Sequence, residues 1–382
     1  MKIILAFDSF KGCLTAEEVI TTASAAIIKI IPTAQITAFK LADGGEGTLA
    51  ALIDGCNGKS ITANFTNLEN CVQPSQIGII NNDTAIIECA QTVGLPLSNL
   101  QQVELKTSYG IGEQIKYALD LGIHKFVVGL GGSGTNDAGC GMLAALGYRF
   151  LDQYSNPLAP LLANLLDVCR IDNSNVDPRL AECQFTVLSD VKNPLYGPDG
   201  ASYVYGPQKG IIPTQLAEFD AAINHFSSIA AKHYGYDDHA KTNGAGAAGG
   251  LGYALLQFLN AKIVSGIDYV LQQLDAAHEF AQADIIFTGE GRSDEQTANG
   301  KVAAGVAKLA KQYAKPVLLI SGSLTESAYK LHDYGIDYLS SIQEGPDTLA
   351  NIIEPSRAKT LLSRKIEETM RLVALAKNFA HR

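Results

Sequence analysis

The chain of 382 residues contains no tryptophan, only three methionines, and charged side chains at just 18% of its length. Bases are scarce as well: 29 Lys and Arg against 39 Asp and Glu give a formal charge of -10, and no basic block is long enough to track a phosphate backbone. That balance excludes nucleic acid as a partner. Cysteine pairs are missing too. Cys13, Cys56, Cys71, Cys89, Cys140, Cys169 and Cys183 are odd in number and widely spaced, with no C-x-x-C, which excludes a zinc or dithiol site and reads as small buried hydrophobes in a reducing cytosol. The histidines offer no H-x-x-x-H pair, and His233 and His239 flank a polar loop. With no G-x-S-x-G elbow, a serine hydrolase has no support. Long apolar runs are also lacking. Ile3 to Phe7 is too short for the core of a signal peptide and reads as a buried strand. Thr242 to Ala261 is uncharged, but its glycines, asparagines and glutamine make it a poor membrane span. The expectation is a cytoplasmic protein without a membrane, acting as a monomer or homodimer.

Apolar residues at 47% and glycine at 36 positions are what the chain has in quantity. The apolar fraction suits a large core, and the length suits two α/β domains. Met1 to Ala6 predicts a strand, followed by a capping box at Thr15-x-x-Glu18. This heads a helix whose Val19, Ala23, Ala26, Ile27 and Ile30 share a face and which Pro32 ends. Ile36 to Leu41 predicts a second strand, with a short helix from Thr48. Ile61 to Phe65, Gln76 to Ile80 and Thr84 to Glu88 predict short strands in a more antiparallel region. A helix near Ile111 to Leu121, a strand Lys125 to Val128, a short helix Ala138 to Leu146 and a strand Phe185 to Ser189 follow, then a turn-rich stretch from Asp190 to Gly210. From Ala283 βα order returns, with strands Ile285 to Thr288, Val317 to Ser321 and Tyr338 to Ser340 and a helix after Pro355. The pattern predicts an α/β fold in two domains. Residues 1–60 plus 263–382 form a discontinuous doubly wound, Rossmann-like parallel-sheet domain, and 61–262 form an inserted mixed α/β domain, with the active site in the cleft between them.

Glycine costs stability unless the backbone must turn sharply or approach another group, so its placement is informative. It recurs beside carboxylates after strands: Asp8-Ser-Phe-Lys11-Gly12, Asp43-Gly-Gly-Glu46-Gly47, Gly131-Gly-Ser133-Gly-Thr135-Asn136-Asp137, and Thr288-Gly-Glu290-Gly-Arg292-Ser-Asp294; Asp190 follows its own strand. Bare backbone amides at such loops bind anions, and adjacent carboxylates suit Mg²⁺, which takes oxygen ligands and bridges phosphates. Together they point to nucleotide phosphoryl transfer. Gly58-Lys59-Ser60 is not a P-loop, since Ile53 stands where that motif needs glycine. Gly129-x-Gly131-x-x-Gly134, with Asp152 downstream, matches the dinucleotide fingerprint, but polar side chains crowd the turn. Gly244-x-Gly246-x-x-Gly249 follows no strand and reads as a flexible or close-packed loop, its glycines without an assigned physical task.

At these loops the sequence resembles the bacterial type I glycerate kinases. The resemblance rests on Asp8 to Gly12, Leu41 to Thr48, Gly129 to Asp137, Asp190 to Leu195, Gly197 to Ser202, Gly206 to Gly210, Gly244 to Gly252 and Thr288 to Thr297, in order along the whole chain. Phe7, Gly134 and Ser189 depart from the family's usual proline, alanine and cysteine. The resemblance implies ATP- and Mg²⁺-dependent phosphorylation of D-glycerate to 2-phosphoglycerate, with 3-phosphoglycerate the alternative product. Asp190 is the first choice of catalytic base and Asp8 the second. Lys11 and Arg292 would clamp a carboxylate or γ-phosphate. Ser133, Thr135, Asn136, Asp137, Asp43, Glu46 and Glu290 would bind substrate or phosphate, and Asp294 and Asp190 would hold the metal; Asp137 reads equally as a helix cap. Two rival readings are an NAD-dependent dehydrogenase using Gly129 to Gly134 and a nucleotide-sensing module that binds ATP without turnover.

Overall fold

A computed structural model of the chain describes residues 1–235, 238–295, 297 and 301–380, and it divides into two compact units: 1–43 with 267–382, and 44–266. Gln296 in the last glycine motif, and Tyr236 and Asp237 between His233 and His239, lie outside the described residues.

The first unit is built on five parallel strands in the spatial order Tyr338–Ser341, Val317–Ser321, Ile285–Gly289, Lys2–Phe7, Gln35–Lys40. Numbered along the unit, that order is 5-4-3-1-2, a doubly wound sheet whose switch point falls between Lys2–Phe7 and Ile285–Gly289. Both central strands are buried throughout their apolar runs, as a sheet covered on two faces requires. One face is covered by the helix Ala16–Ile30, started by the Thr15 and Glu18 capping box, together with Pro355–Ala380; Val19, Ala23 and Ile27 join Leu362, Ile366 and Met370 in one core. The helix Val302–Gln312 also packs on the central strands.

The second unit holds a six-stranded sheet in the order Lys262–Val264, Gln184–Leu188, Lys125–Gly129, Thr84–Glu88, Val72–Ile80, Lys59–Thr66. Its first four strands are parallel, and antiparallel pairing is confined to the last three. The chain turns from Val72–Ile80 into Thr84–Glu88 through Asn81 and Asn82, both left-handed, a conformation that asparagine tolerates better than other side chains. A separate three-stranded sheet, Arg149–Leu151 with Pro157–Leu158 and Arg170–Asp172, was not anticipated.

Three readings from the sequence change. The division falls at 43/44 and 266/267 rather than 60/61 and 262/263, because the helix Thr48–Gly55 packs on Val72–Ile80 and Thr84–Glu88 in the second unit. The turn-rich stretch ends in a helix, Ala201–Lys209, and Leu216–Tyr234 forms a long helix between turn-rich segments. The short helix expected at Ala138 begins at Cys140, because Ala138 and Gly139 are both left-handed.

Ala138 meets the glycines that lacked a task. At Gly249, itself at φ +66°, a Cβ would collide with the Thr135 carbonyl oxygen, while its own carbonyl accepts the Ala138 N–H at 2.9 Å. A Cβ at Gly250 would stand 2.8 Å from Leu195 Cδ1 and 2.7 Å from the Ala138 Cα, and one at Gly246 would strike the Pro194 carbonyl. The run Gly244 to Gly250 is backbone laid on backbone. Gly249→Ala should therefore destabilise the protein by about 2–4 kcal/mol, measured by urea unfolding; a loss within about 0.5 kcal/mol would refute this account.

Candidate functional site

In the first unit the carboxyl ends of the strands open onto a pocket of about 450 Å³, lined by Asp8, Lys11, Asp43, Glu290, Arg292, Asp294 and Lys301 among others. In a doubly wound sheet the switch point is where ligands bind, because the loops on either side of it diverge to opposite faces. Asp8 and Glu290 stand on the two strands that flank it. The Asp8 N–H donates to the Gly289 carbonyl at 3.1 Å, extending the sheet pairing one residue past Phe7. Ser9 N–H in turn donates to Asp8 Oδ1 at 2.6 Å. Burial raises the Asp8 carboxyl to about 7, the charges of Asp43 and Glu290 push the same way, and Lys11 and the Ser9 amide offset part of it.

Glu290 is 7% exposed and also raised, first by burial, with the Asp294 charge adding to it. It is held at Oε1 by Thr297 Oγ1 at 2.7 Å and Ser293 Oγ at 3.0 Å, with Lys301 Nζ 3.8 Å from Oε2. Its loop is braced from behind, since Gly322 N–H donates to the Glu290 carbonyl and Ser323 N–H to that of Gly291, both at 3.0 Å. Arg292 is exposed and stands 3.9 Å from Asp294, beyond hydrogen-bond distance. One buried acid poised to lose its proton near neutrality, several further carboxylates and three cations thus share one cavity.

The second unit carries a smaller pocket of about 280 Å³ lined by Gly131, Gly132, Ser133, Ser189, Tyr205 and Lys209 among others. Its glycine loop is fixed by backbone: Gly131 N–H donates to the Gly44 carbonyl at 3.0 Å, Gly134 N–H to that of Val93 at 2.8 Å, and Gly132 accepts from Leu95 N–H at 2.8 Å. Lys209, only 2% exposed, donates from Nζ to the Thr135 carbonyl at 2.7 Å; burial lowers its ammonium to about 8, against the opposing Asp137 charge. Asp137 is fully buried and accepts from Ser108 N–H, Ser108 Oγ, Gly139 N–H and Gly141 N–H at 2.7–3.2 Å. It anchors the turn and the start of the following helix, the capping alternative weighed above.

The predicted residues separate accordingly. Asp8, Lys11, Asp43, Glu290, Arg292 and Asp294 come together in the first pocket. In the second, Ser133 lines the cavity, while Thr135, Asn136 and Asp137 are wholly buried, Asn136 donating from Nδ2 to Ser202 Oγ at 2.9 Å. Asp190 is half-buried just past Gln184–Leu188, between Ser189 and Val191, which both line that cavity. Glu46 is exposed ahead of Thr48–Gly55, and buried Glu88 instead takes the Gly47 and Leu49 amides at that helix start, at 3.3 and 2.9 Å. Sequence reading missed Glu88 and Lys301, which no motif announces. For Lys209 the available signal was its place in Gly206-Pro-Gln-Lys-Gly210. Asp152 caps its own exposed turn through Tyr154 and Asn156 N–H, on the small separate sheet, so the dinucleotide reading loses its acidic partner.

A model of the glycerate kinase family matches residues 3–374. Among relatives, a glycerate kinase of Haemophilus influenzae is 42% identical over 93% of this chain and 94% of its own. One of Bacillus subtilis is 40% identical over 99% of each. A protein of Escherichia coli named glycerate 2-kinase is 40% identical over 91% of this chain and 92% of its own. The crystal structure described as glycerate kinase 2 from Salmonella typhimurium LT2 superposes with a TM-score of 0.85 at 37% identity, covering 99% of both chains.

A carboxyl raised from 3.8 to about 7 binds its proton more tightly folded than unfolded, so stability falls as pH rises through that window, by at most about 4 kcal/mol. Asp8→Asn should remove this loss, so that the variant gains on the parent in urea unfolding between pH 5 and pH 8. A constant difference across that range would show that Asp8 titrates normally.

Proposed function

The chain belongs to the glycerate kinase family, and on that premise we propose that it transfers the γ-phosphoryl group of ATP to the 2-hydroxyl of D-glycerate, with Mg²⁺, giving 2-phosphoglycerate. The observation that carries this reading is Asp8. It is a buried carboxyl raised to about 7, fixed by Ser9 at Oδ1, in a cavity that also holds Lys11 and Arg292. A general base works best when its pKa lies near the operating pH. In this assignment Asp8 Oδ2 takes the proton of the attacking hydroxyl, ahead of Asp190, for which burial and position alone argue. Lys11 and Arg292 hold the phosphates, Arg292 with its planar fork. Glu290, its Oε1 already engaged by Thr297 and Ser293, offers Oε2 to a ligand hydroxyl. Ser133 and its glycine loop, with Lys209 alongside, receive an anionic group, phosphate or carboxylate.

The hard carboxylate oxygens of the first pocket, with no imidazole in its lining, suit Mg²⁺. Among the described residues no group of three or more His, Cys, Asp or Glu side chains is placed to hold an ion. One carboxylate of that pocket, Asp294 by our assignment, would therefore act with phosphate and water oxygens. When bound, the ion would neutralise charge developing on the transferring group. The name of the Escherichia coli relative supports attack through the 2-hydroxyl. Among the described residues no helix is long and apolar enough to cross a membrane, and we place the enzyme in the cytoplasm.

The test is a coupled assay of ADP release over a panel of hydroxy acids, with the product identified by phosphorus NMR. D-Glycerate should be the preferred acceptor and 2-phosphoglycerate the product. Asp8→Asn should lower kcat by roughly 10²–10⁴-fold, and Arg292→Ala should raise KM for ATP or glycerate about tenfold. Near-normal turnover in Asp8→Asn with collapse in Asp190→Asn would move the base to Asp190, and an unchanged KM for both substrates would make Arg292 structural.

A further inference from the structure

The pocket of the first unit is built from two kinds of wall. Beside its charged residues stand Phe10, Ile342, Leu349, Ile352 and Ile353, aliphatic and aromatic side chains with no polar atom to offer. D-Glycerate cannot use them: each of its three carbons carries oxygen, and it has no apolar face to bury. Phe10 and Ile342 belong to the core, at 2% and 1% exposure. Leu349 and Ile353 are 72% and 40% exposed, on the short helix Leu349–Ile352 and at its end. Large aliphatic side chains left in water at the mouth of a charged cavity mark surface that a ligand would cover. The same cavity holds the cations Lys11, Arg292 and Lys301. A ligand that pairs a polyanion with a flat, apolar ring satisfies both walls, and a nucleoside triphosphate is that ligand.

We propose that the apolar wall formed by Phe10, Ile342, Leu349, Ile352 and Ile353 is the nucleobase subsite, so that the nucleotide lies in the pocket of the first unit with its phosphates toward Lys11, Arg292 and Lys301. The inference rests on the kinase reading above for its choice of ligand. Binding there comes from burial against aliphatic surface rather than from a fixed set of hydrogen bonds to the base edge, so adenine and guanine nucleotides should bind within about tenfold of each other.

Leu349→Gln and Ile353→Gln test it, because both positions are exposed and the variants keep the charge and the fold, which circular dichroism and the melting temperature verify. Calorimetric titration in the presence of Mg²⁺ should show ATP affinity falling tenfold or more in the double variant, while inorganic tripolyphosphate binds as in the parent. KM for ATP should rise in step, with kcat and the KM for glycerate within twofold. Unchanged ATP affinity would overturn the subsite, as would an equal loss for ATP and tripolyphosphate. So would a change of oligomeric state by sedimentation with ATP binding intact, which would assign the wall to a second copy of the chain. Failure of the parent to phosphorylate glycerate with ATP would instead sink the functional reading, and the comparison of ATP with tripolyphosphate would still decide the subsite.

Discussion

Everything chemical in the first unit depends on one parallel pairing, Lys2–Phe7 against Ile285–Gly289. Strands that run the same way end on the same side, so Asp8 and Glu290 leave the sheet together although most of the chain lies between them. Gly289 leaves no room for a side chain, because a Cβ there would strike the Ile320 carbonyl on the neighbouring strand Val317–Ser321. Acids gathered in a buried place repel one another and resist ionisation, so the arrangement costs free energy that the rest of the sheet must offset. The covered faces of that sheet, with the capped helix Ala16–Ile30 packed against Pro355–Ala380, supply the offset through apolar burial.

Glycine serves the two units in different ways. In the first it lets strand ends and loops close behind the carboxylates. In the second it lets one stretch of main chain rest on another, Gly131 at Gly44 and Gly249 at Thr135, so the loop that carries Ser133 is stiffened by backbone hydrogen bonds and contacts instead of by side chains. Lys209 completes that scaffold by putting a buried cation on the Thr135 carbonyl, and Asp137 by gathering four donors at the next turn. Lys209 and Asp137 thus spend hydrogen bonds on the loop itself.

This explains what was legible beforehand. Strands and helices of the first unit stood out because continuous apolar runs and a capping box are local signals, and Asp8, Asp43, Glu290, Arg292 and Asp294 could be assembled because each follows such a strand. The boundary at 43/44 was not legible, since Thr48–Gly55 looks like one more helix of the βα series until its packing partner is known. Asp137 was listed with the phosphate-binding residues because composition cannot tell a carboxylate aimed at a ligand from one that gathers the protein's own donors. The helix Ala201–Lys209 contains Gly206 and Pro207, so it was hidden by residues that usually end one.

The second unit is one unbroken stretch, whereas the first is completed only by residues from 267 onward. A chain emerging from the ribosome therefore presents a whole six-stranded unit while Lys2–Phe7 still has Gln35–Lys40 as its sole strand neighbour and its other edge bare. That edge is filled late, by Ile285–Gly289, through the contact of greatest sequence separation in the sheet, and such closures are slow. The order of synthesis thus delays the meeting of Asp8 and Glu290 until the whole of the second unit has been made, so the two acids are brought together by a pairing that residues 1–43 cannot form by themselves.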